Sequence, residues 1–228
     1  MKIVISHGSG GISSAETFAR DFFESKGYEV HLIDYFTPHG ITNLWWSDGQ
    51  WQDDHDCTFS EMFNVNFPEG DLIHIGFSLG AFLGIVHHKK FLKNYLFYPG
   101  CIAISESMLD VDYSNAVVIS GTEDNGQNKY KIFRDMLKHP PLKHYELPGV
   151  HHAFMVSDID RSFHMVRYGN IGKVMSQQEF DQLKPNHKYL GERYGYRTQP
   201  TTLKSHNEYR LQYLNMIEEE IREYNTKV

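Results

Sequence analysis

The sequence predicts an α/β protein: a reduced, mostly parallel sheet of about six strands flanked by helices. Three observations point there. The chain opens strand, helix, strand, an order that favours parallel pairing through a crossover helix. Six short apolar runs, at 2–6, 29–33, 71–75, 94–98, 117–120 and 143–147, read as strands separated by helices or loops. The third is the pentapeptide Gly76-Phe77-Ser78-Leu79-Gly80, which lies between an apolar strand and a helix, as a strand-turn-helix elbow requires.

Each element has its own reason. Lys2 to Ser6 is a compact β-branched run, followed by the flexible loop "HGSGG". Ala15 to Phe23 reads as a helix whose Phe18, Ala19, Phe22 and Phe23 share a face, with Gly27 stopping it. Glu29 to Ile33 is the second strand. Tyr35 to Cys57, with "TPHG", "NLWWSDGQW" and "DDHD", has little periodicity and reads as a long loop, a feature often tied to function. A helix is expected over 58–66 and a strand over 71–75. The next helix, 79–88, puts Phe82, Leu83 and Val86 on its apolar face. Strand 94–98 ends at Pro99-Gly100. Strand 117–120 follows the loop-like "LDVDYSNA". Helix 130–137 stops at His139-Pro140-Pro141, and 143–147 is the last sheet strand.

The remainder is less regular. Residues 158–202 read as an insertion with helical pieces, one near 177–183, and a Gly/Tyr-rich piece, "YLGERYGYRTQP". Ser205 to Tyr224 reads as a terminal helix with Leu211, Leu214, Ile217 and Ile221 as its apolar stripe and Glu218 to Glu220 toward water. No repeat, low-complexity tract or domain boundary interrupts the chain. One domain over 1–228 is expected, elaborated at 35–57 and 158–202.

Composition narrows the function classes. The 228 residues are 40% hydrophobic and 22% charged, as in ordinary globular proteins, and can bury a sizeable core. A formal charge of −7 argues against a nucleic-acid partner. The one basic run, "HHKK" at 87–90, suits a helix C-terminus. No apolar run reaches the roughly 20 residues that span a bilayer, and "KIVIS" is no signal-peptide core. With Cys57 and Cys101 as its only cysteines, the chain implies no disulfide framework, and a cytoplasmic location is expected. The 14 histidines include no short metal-ligand spacing, so neither metal nor cofactor is expected. The 14 Tyr, 15 Phe and 3 Trp exceed an ordinary share and suit a core or an apolar pocket.

The pentapeptide gains meaning from its flanks and from the C-terminal half of the chain. Gly76 and Gly80 let the helix approach the strand where a Cβ would clash. The helix N-terminus places its dipole and the Leu79 amide beside Ser78. A carboxylate follows one later strand in "VVISGTEDNG", and a histidine follows the next in "ELPGVHHAF". The order is serine, acid, histidine, each at a strand C-terminal edge, where an open α/β sheet gathers distant residues. Glu123 and Asp124 both qualify as the acid, and His151 and His152 both qualify as the base. The "HGSGG" loop is neither of the common phosphate-binding Gly-rich motifs. It is read instead as the source of a second oxyanion donor, the amide of Ser9 or Gly8.

These stretches resemble the dienelactone hydrolase branch of the α/β-hydrolase superfamily. "VISHGSGG" matches its histidine-glycine loop, "IHIGFSLGAFLG" its nucleophile elbow and "YLFYPG" its aromatic turn. "VVISGTEDNG" matches its acid turn and "YELPGVHHAF" its P-G-x-x-H-x-F histidine loop. The resemblance covers about 2–154 and, loosely, the terminal helix. It implies an α/β-hydrolase fold with Ser78 as nucleophile, Asp124 as acid and His152 as base. "PGVHHAF" meets the histidine spacing only at His152. Serine stands where the best-known members carry cysteine, the acid turn continues "NGQNKY" instead of toward proline, and the opening antiparallel strands are missing. Some 45 residues are also inserted after the histidine loop.

The expected function is hydrolysis of an ester, lactone or thioester of a small to medium organic acid. An acyltransferase or cyclase on the same triad, or a non-catalytic binding protein on the same fold, are the alternatives. His7, Trp45, Trp46, Phe77 and Tyr98 are the expected pocket residues. Trp45, Trp46 and Trp51, with part of 158–202, are expected to cover the mouth of the Ser78 site or to form a homodimer contact.

Overall fold

The structure, a computed structural model, describes residues 1–44, 55–125, 128–141, 143–168 and 174–226. The first half carries β1 (Lys2–Ser6), α1 (Ser14–Ser25), β2 (Glu29–Ile33), α2 (Phe59–Met62), β3 (Leu72–Phe77), α3 (Leu79–Val86) and β4 (Lys93–Phe97). Then come β5 (Ile104–Ser105), α4 (Glu106–Leu109), β6 (Ala116–Gly121), α5 (Asn128–Met136) and β7 (Lys143–Leu147). The last part holds β8 (Asp160–Tyr168), β9 (Val174–Met175), α6 (Gln177–Asp181), α7 (His187–Tyr194), β10 (Tyr196–Lys204) and α8 (Asn207–Asn225).

Six strands form one sheet in the order β2-β1-β3-β4-β6-β7, every neighbouring pair parallel. The strand period of two divides its side chains between two cores. Ile3, Ile5, Ile73, Ile75, Phe77 and Phe97 pack against Ala19 and Phe23 of α1 and Leu214 and Ile217 of α8. On the opposite face Leu96 and Val118 pack against Phe82 and Leu83 of α3 and Phe133 of α5. Covering both faces is what lets the strands be apolar almost throughout.

Three expectations change. The helix expected over 58–66 stops at Met62. The insertion holds the expected helical pieces, α6 and α7, but also an unexpected ribbon: β8 and β10 pair antiparallel over nine positions, from Tyr196↔Tyr168 to Lys204↔Asp160. On α8, Leu211 is 52% exposed and Tyr213 takes its place in the core, while Glu218, expected in water, is 4% exposed. At about 100° per residue, Leu211 lies well off the line through Tyr213, Ile217 and Ile221. Glu218 is held by Arg222, with Nε–Oε1 and Nη2–Oε2 distances of 2.5 and 2.6 Å.

Among the described residues no helix is long and apolar enough to cross a membrane. Trp45, Trp46 and Trp51, expected at the site mouth, lie outside the described residues.

Candidate active site

Ser78 sits between β3 and α3 with φ 52° and ψ −108°, a conformation unusual for a residue with a side chain. The packing around it holds this strain. The Ser78 amide donates to the Phe97 carbonyl (2.9 Å), and the Gly100 amide donates to the Ser78 carbonyl (2.9 Å). A Cβ on Gly76 would stand 2.6 Å from the Gly80 carbonyl oxygen, and one on Gly80 would stand 2.6 Å from Ser6 Oγ. The strand and helix can therefore meet only through glycines. Tyr98 (φ 38°) and Ala153 (φ 60°) share the left-handed region with Ser78. Backbone strain thus gathers around one locus, a pattern associated with functional sites.

That locus is a three-residue chain of hydrogen-bonding groups. Ser78 Oγ lies 2.9 Å from His152 Nε2. His152 Nδ1 lies 2.8 Å from Asp124 Oδ2. Asp124 and His152 are 4% and 8% exposed. The carboxylate accepts, so Nδ1 carries the proton and Nε2 presents its lone pair to the Ser78 hydroxyl. This is the geometry of a serine-hydrolase catalytic triad.

The loops bearing acid and histidine are stitched together. The Thr122 amide donates to the Leu147 carbonyl (2.9 Å) and the Glu123 amide to the Val150 carbonyl (3.0 Å). The Gly149 amide donates to Thr122 Oγ1 (2.9 Å). The insertion adds a support: the Lys204 amide donates to the His152 carbonyl (3.4 Å), and Asn125 Nδ2 donates to the Pro200 carbonyl (3.3 Å). Glu123 points to solvent. His151 stacks on His206 with ring centroids 6.0 Å apart, and its buried Nδ1 has no hydrogen-bond partner among the described residues.

The predicted oxyanion donors differ in availability. Leu79 begins α3, where its amide has no intrahelical acceptor. The Gly8 amide is directed to Glu16 Oε1 at 3.3 Å. The Ser9 amide has no hydrogen-bond acceptor among the described residues. Gly8 stands close to the serine: a Cβ on it would be 3.4 Å from Ser78 Cβ. A Cβ on Gly100 would be 3.0 Å from Ser78 Oγ, so glycine keeps the opposite side of the nucleophile position open.

The predicted pocket residues lie deep. His7 is fully buried, stacked on Tyr35 (4.0 Å, 8°) and edge-on to Phe36 (4.5 Å). Phe77 is 1% exposed and stacks on Phe97 on the core face of the sheet. Tyr98 is 2% exposed and meets the His152 ring edge-to-face at 4.9 Å, walling the imidazole. Burial pushes the Tyr98 phenol well above its ordinary value, which keeps it neutral.

Sequence reasoning misses Tyr35, whose hydroxyl donates to the His7 carbonyl, and Glu16. The signal for Glu16 is present as Ser13-Ser14-Ala15-Glu16, a capping-box pattern. Among the described residues no group of three His, Cys, Asp or Glu is placed to hold a metal ion.

No family model and no curated protein match the sequence. Solved structures do. A candidate dienelactone hydrolase from Klebsiella pneumoniae superposes with a TM-score of 0.51 at 13% identity, over 67% of this chain and 75% of that one. Alpha/beta hydrolase domain-containing protein 10 from mouse gives 0.51 at 12% identity, over 68% and 83%. The parallel sheet, the strained elbow after β3 and these superpositions agree: the chain has the α/β-hydrolase fold.

Proposed function

We propose that the protein is a serine hydrolase of the dienelactone hydrolase-like kind, cleaving an ester, lactone or thioester of a small to medium organic acid. The observation that carries this reading is the unbroken Ser78–His152–Asp124 relay at a strained elbow, with contacts of 2.9 and 2.8 Å. The dienelactone-like assignment rests on the sequence motifs and on the likeness to the Klebsiella protein.

The chemistry follows from the proton positions. His152 Nε2 takes the Ser78 proton as Oγ attacks the acyl carbon. The carbonyl oxygen becomes an oxyanion, facing the amides of Leu79 and Ser9. Asp124 stabilises the imidazolium without taking its proton. His152 then gives the proton to the departing alkoxide or thiolate, leaving an acyl-enzyme. In the second half His152 takes a proton from water, hydroxide adds to the acyl carbon, and Ser78 leaves with the proton returned.

The test is a panel of p-nitrophenyl and thioester acyl chains, with a fluorophosphonate label. The wild type turns over at least one member and is labelled. Ser78→Ala loses both while keeping its circular dichroism spectrum. Labelling that persists in Ser78→Ala would falsify the nucleophile assignment.

A further inference from the structure

Among the described residues two buried carboxylates lie outside the relay: Glu218, which Arg222 holds, and Glu16, which has no such partner. Glu16 is 2% exposed, and among the described residues no Lys, Arg or His pairs with it. Burying such a group is costly unless donors surround it. Here the donors are the Ser13 amide (2.7 Å), the Ser13 hydroxyl (2.6 Å) and the Gly8 amide (3.3 Å). Its Oε2 closes the capping box of α1, while its Oε1 reaches into the 7–11 loop.

Capping alone does not require this. The described residues hold two further capping boxes, Thr58 with Glu61 and Ser176 with Glu179. Both of those glutamates are exposed, and neither offers its second oxygen to a distant backbone amide among the described residues. Of the three, only Glu16 lies beneath a loop that touches the nucleophile position.

The rest of that loop is oriented by complementary contacts. The Gly8 carbonyl accepts from the Gly11 amide (3.1 Å) and from His7 Nδ1 (2.8 Å). In a planar trans peptide the N–H opposes the C=O. Fixing the Gly8 carbonyl therefore turns the Ser9 amide the other way. The Ser9 carbonyl accepts from Leu44 (2.7 Å), and the Tyr35 hydroxyl holds the His7 carbonyl. Gly8, Gly10 and Gly11 make the loop intrinsically mobile, so its order depends on such contacts.

We propose that Glu16 is a positioning residue for acyl transfer: its carboxylate ties the Gly8 amide to the start of α1 and so keeps the Ser9 amide aimed at the oxyanion. This rests on the serine-hydrolase reading above. Glutamine has one acceptor oxygen, so Glu16→Gln cannot serve both Ser13 and Gly8. Aspartate keeps the charge but is one methylene too short to bridge them.

The experiment measures kcat and KM on a p-nitrophenyl ester, the inhibition constant of an alkylboronic acid, and melting temperature, for wild type, Glu16→Gln and Glu16→Asp. A boronic acid adds Ser78 Oγ to boron and places an oxygen where the oxyanion forms. In both variants kcat should fall about 10- to 100-fold, a partial loss of one oxyanion donor. KM should stay within about threefold, and boronate affinity should fall by the same factor as kcat/KM. A loss of kcat/KM without a matching loss of boronate affinity overturns the proposal. So do wild-type kinetics in either variant, or failure of both to fold, which would make Glu16 a folding element only. A wild type that neither hydrolyses esters nor binds the boronate refutes the serine-hydrolase reading itself, and this proposal with it.

Discussion

Two pairs of adjacent residues show how finely placement divides chemistry. Glu123 and Asp124 carry the same group, yet Glu123 faces water and Asp124 Oδ2 lies 2.8 Å from the His152 ring. Asp124→Asn should keep the packing but favour the wrong imidazole tautomer, lowering kcat by about 10⁴. Glu123→Ala should leave kcat within about twofold, as steady-state kinetics on the best ester of the panel will check. Likewise His152→Ala should abolish turnover and His151→Ala should not, because the His152 ring is the one that touches Ser78 Oγ. An active His152→Ala enzyme would move the base elsewhere. Sequence order alone leaves both pairs open. The motif spacing favours Asp124 and His152, and the one-residue choice becomes visible only when the loops fix side-chain direction. Glu16 is hidden for a different reason. Its pattern signals a helix cap, and nothing in a linear pattern says that a cap will be buried under another loop.

The elements are legible where one signal dominates. The six sheet strands are short apolar runs bounded by turns, and all six stand near their expected positions. Where signals mix, the sequence misleads. "DRSFHMVRY" alternates apolar and polar residues only in part, and "YRTQPTTLK" contains a proline, so the β8–β10 ribbon reads as irregular chain. Proline fits there because a two-stranded ribbon has open edges. On α8 an extra leucine draws the expected stripe too far toward the helix start. This correction is testable on the helix. Leu211→Lys should change stability by no more than about 0.5 kcal/mol, as for an exposed position. Leu214→Ala, at a fully buried site, should cost about 2–5 kcal/mol. Urea denaturation of the two variants decides. A Leu211→Lys loss as large as that of Leu214→Ala would restore the original stripe.

At the scale of the whole molecule, the sheet gathers the site at one edge while its interior carries a second polar network that takes no part in the relay. His74 on β3 is fully buried, with Nδ1 2.6 Å from Asn94 Oδ1 and Nε2 2.7 Å from Ser6 Oγ. Asn94 Nδ2 donates to the Gly84 carbonyl (2.8 Å), which turns its oxygen toward His74. His74 Nδ1 therefore carries a proton, while the Ser6 hydroxyl, with one proton to give, lies within reach of both Nε2 and the Gly80 carbonyl (3.0 Å). Gly84 packs on this ring: a Cβ there would lie 2.5 Å from it, so α3 is seated on the same histidine. Burial pulls the imidazole from its ordinary value near 6.5 down to about 4. The folded protein therefore resists a proton that the unfolded chain accepts. The stabilisation is fully present above about pH 6.5, declines as pH falls, and is exhausted near pH 4. At 1.36 kcal/mol per pKa unit the loss is about 3 kcal/mol. Burial lowers His7 and His87 in the same direction, so the wild-type slope will exceed what His74 supplies. The difference between wild type and His74→Gln isolates it. Urea unfolding at pH 7.5 and pH 4.5 should show wild type losing more stability than the variant, by about 2–3 kcal/mol. Equal losses in the two proteins would mean that His74 takes up its proton without opening the core beneath the elbow.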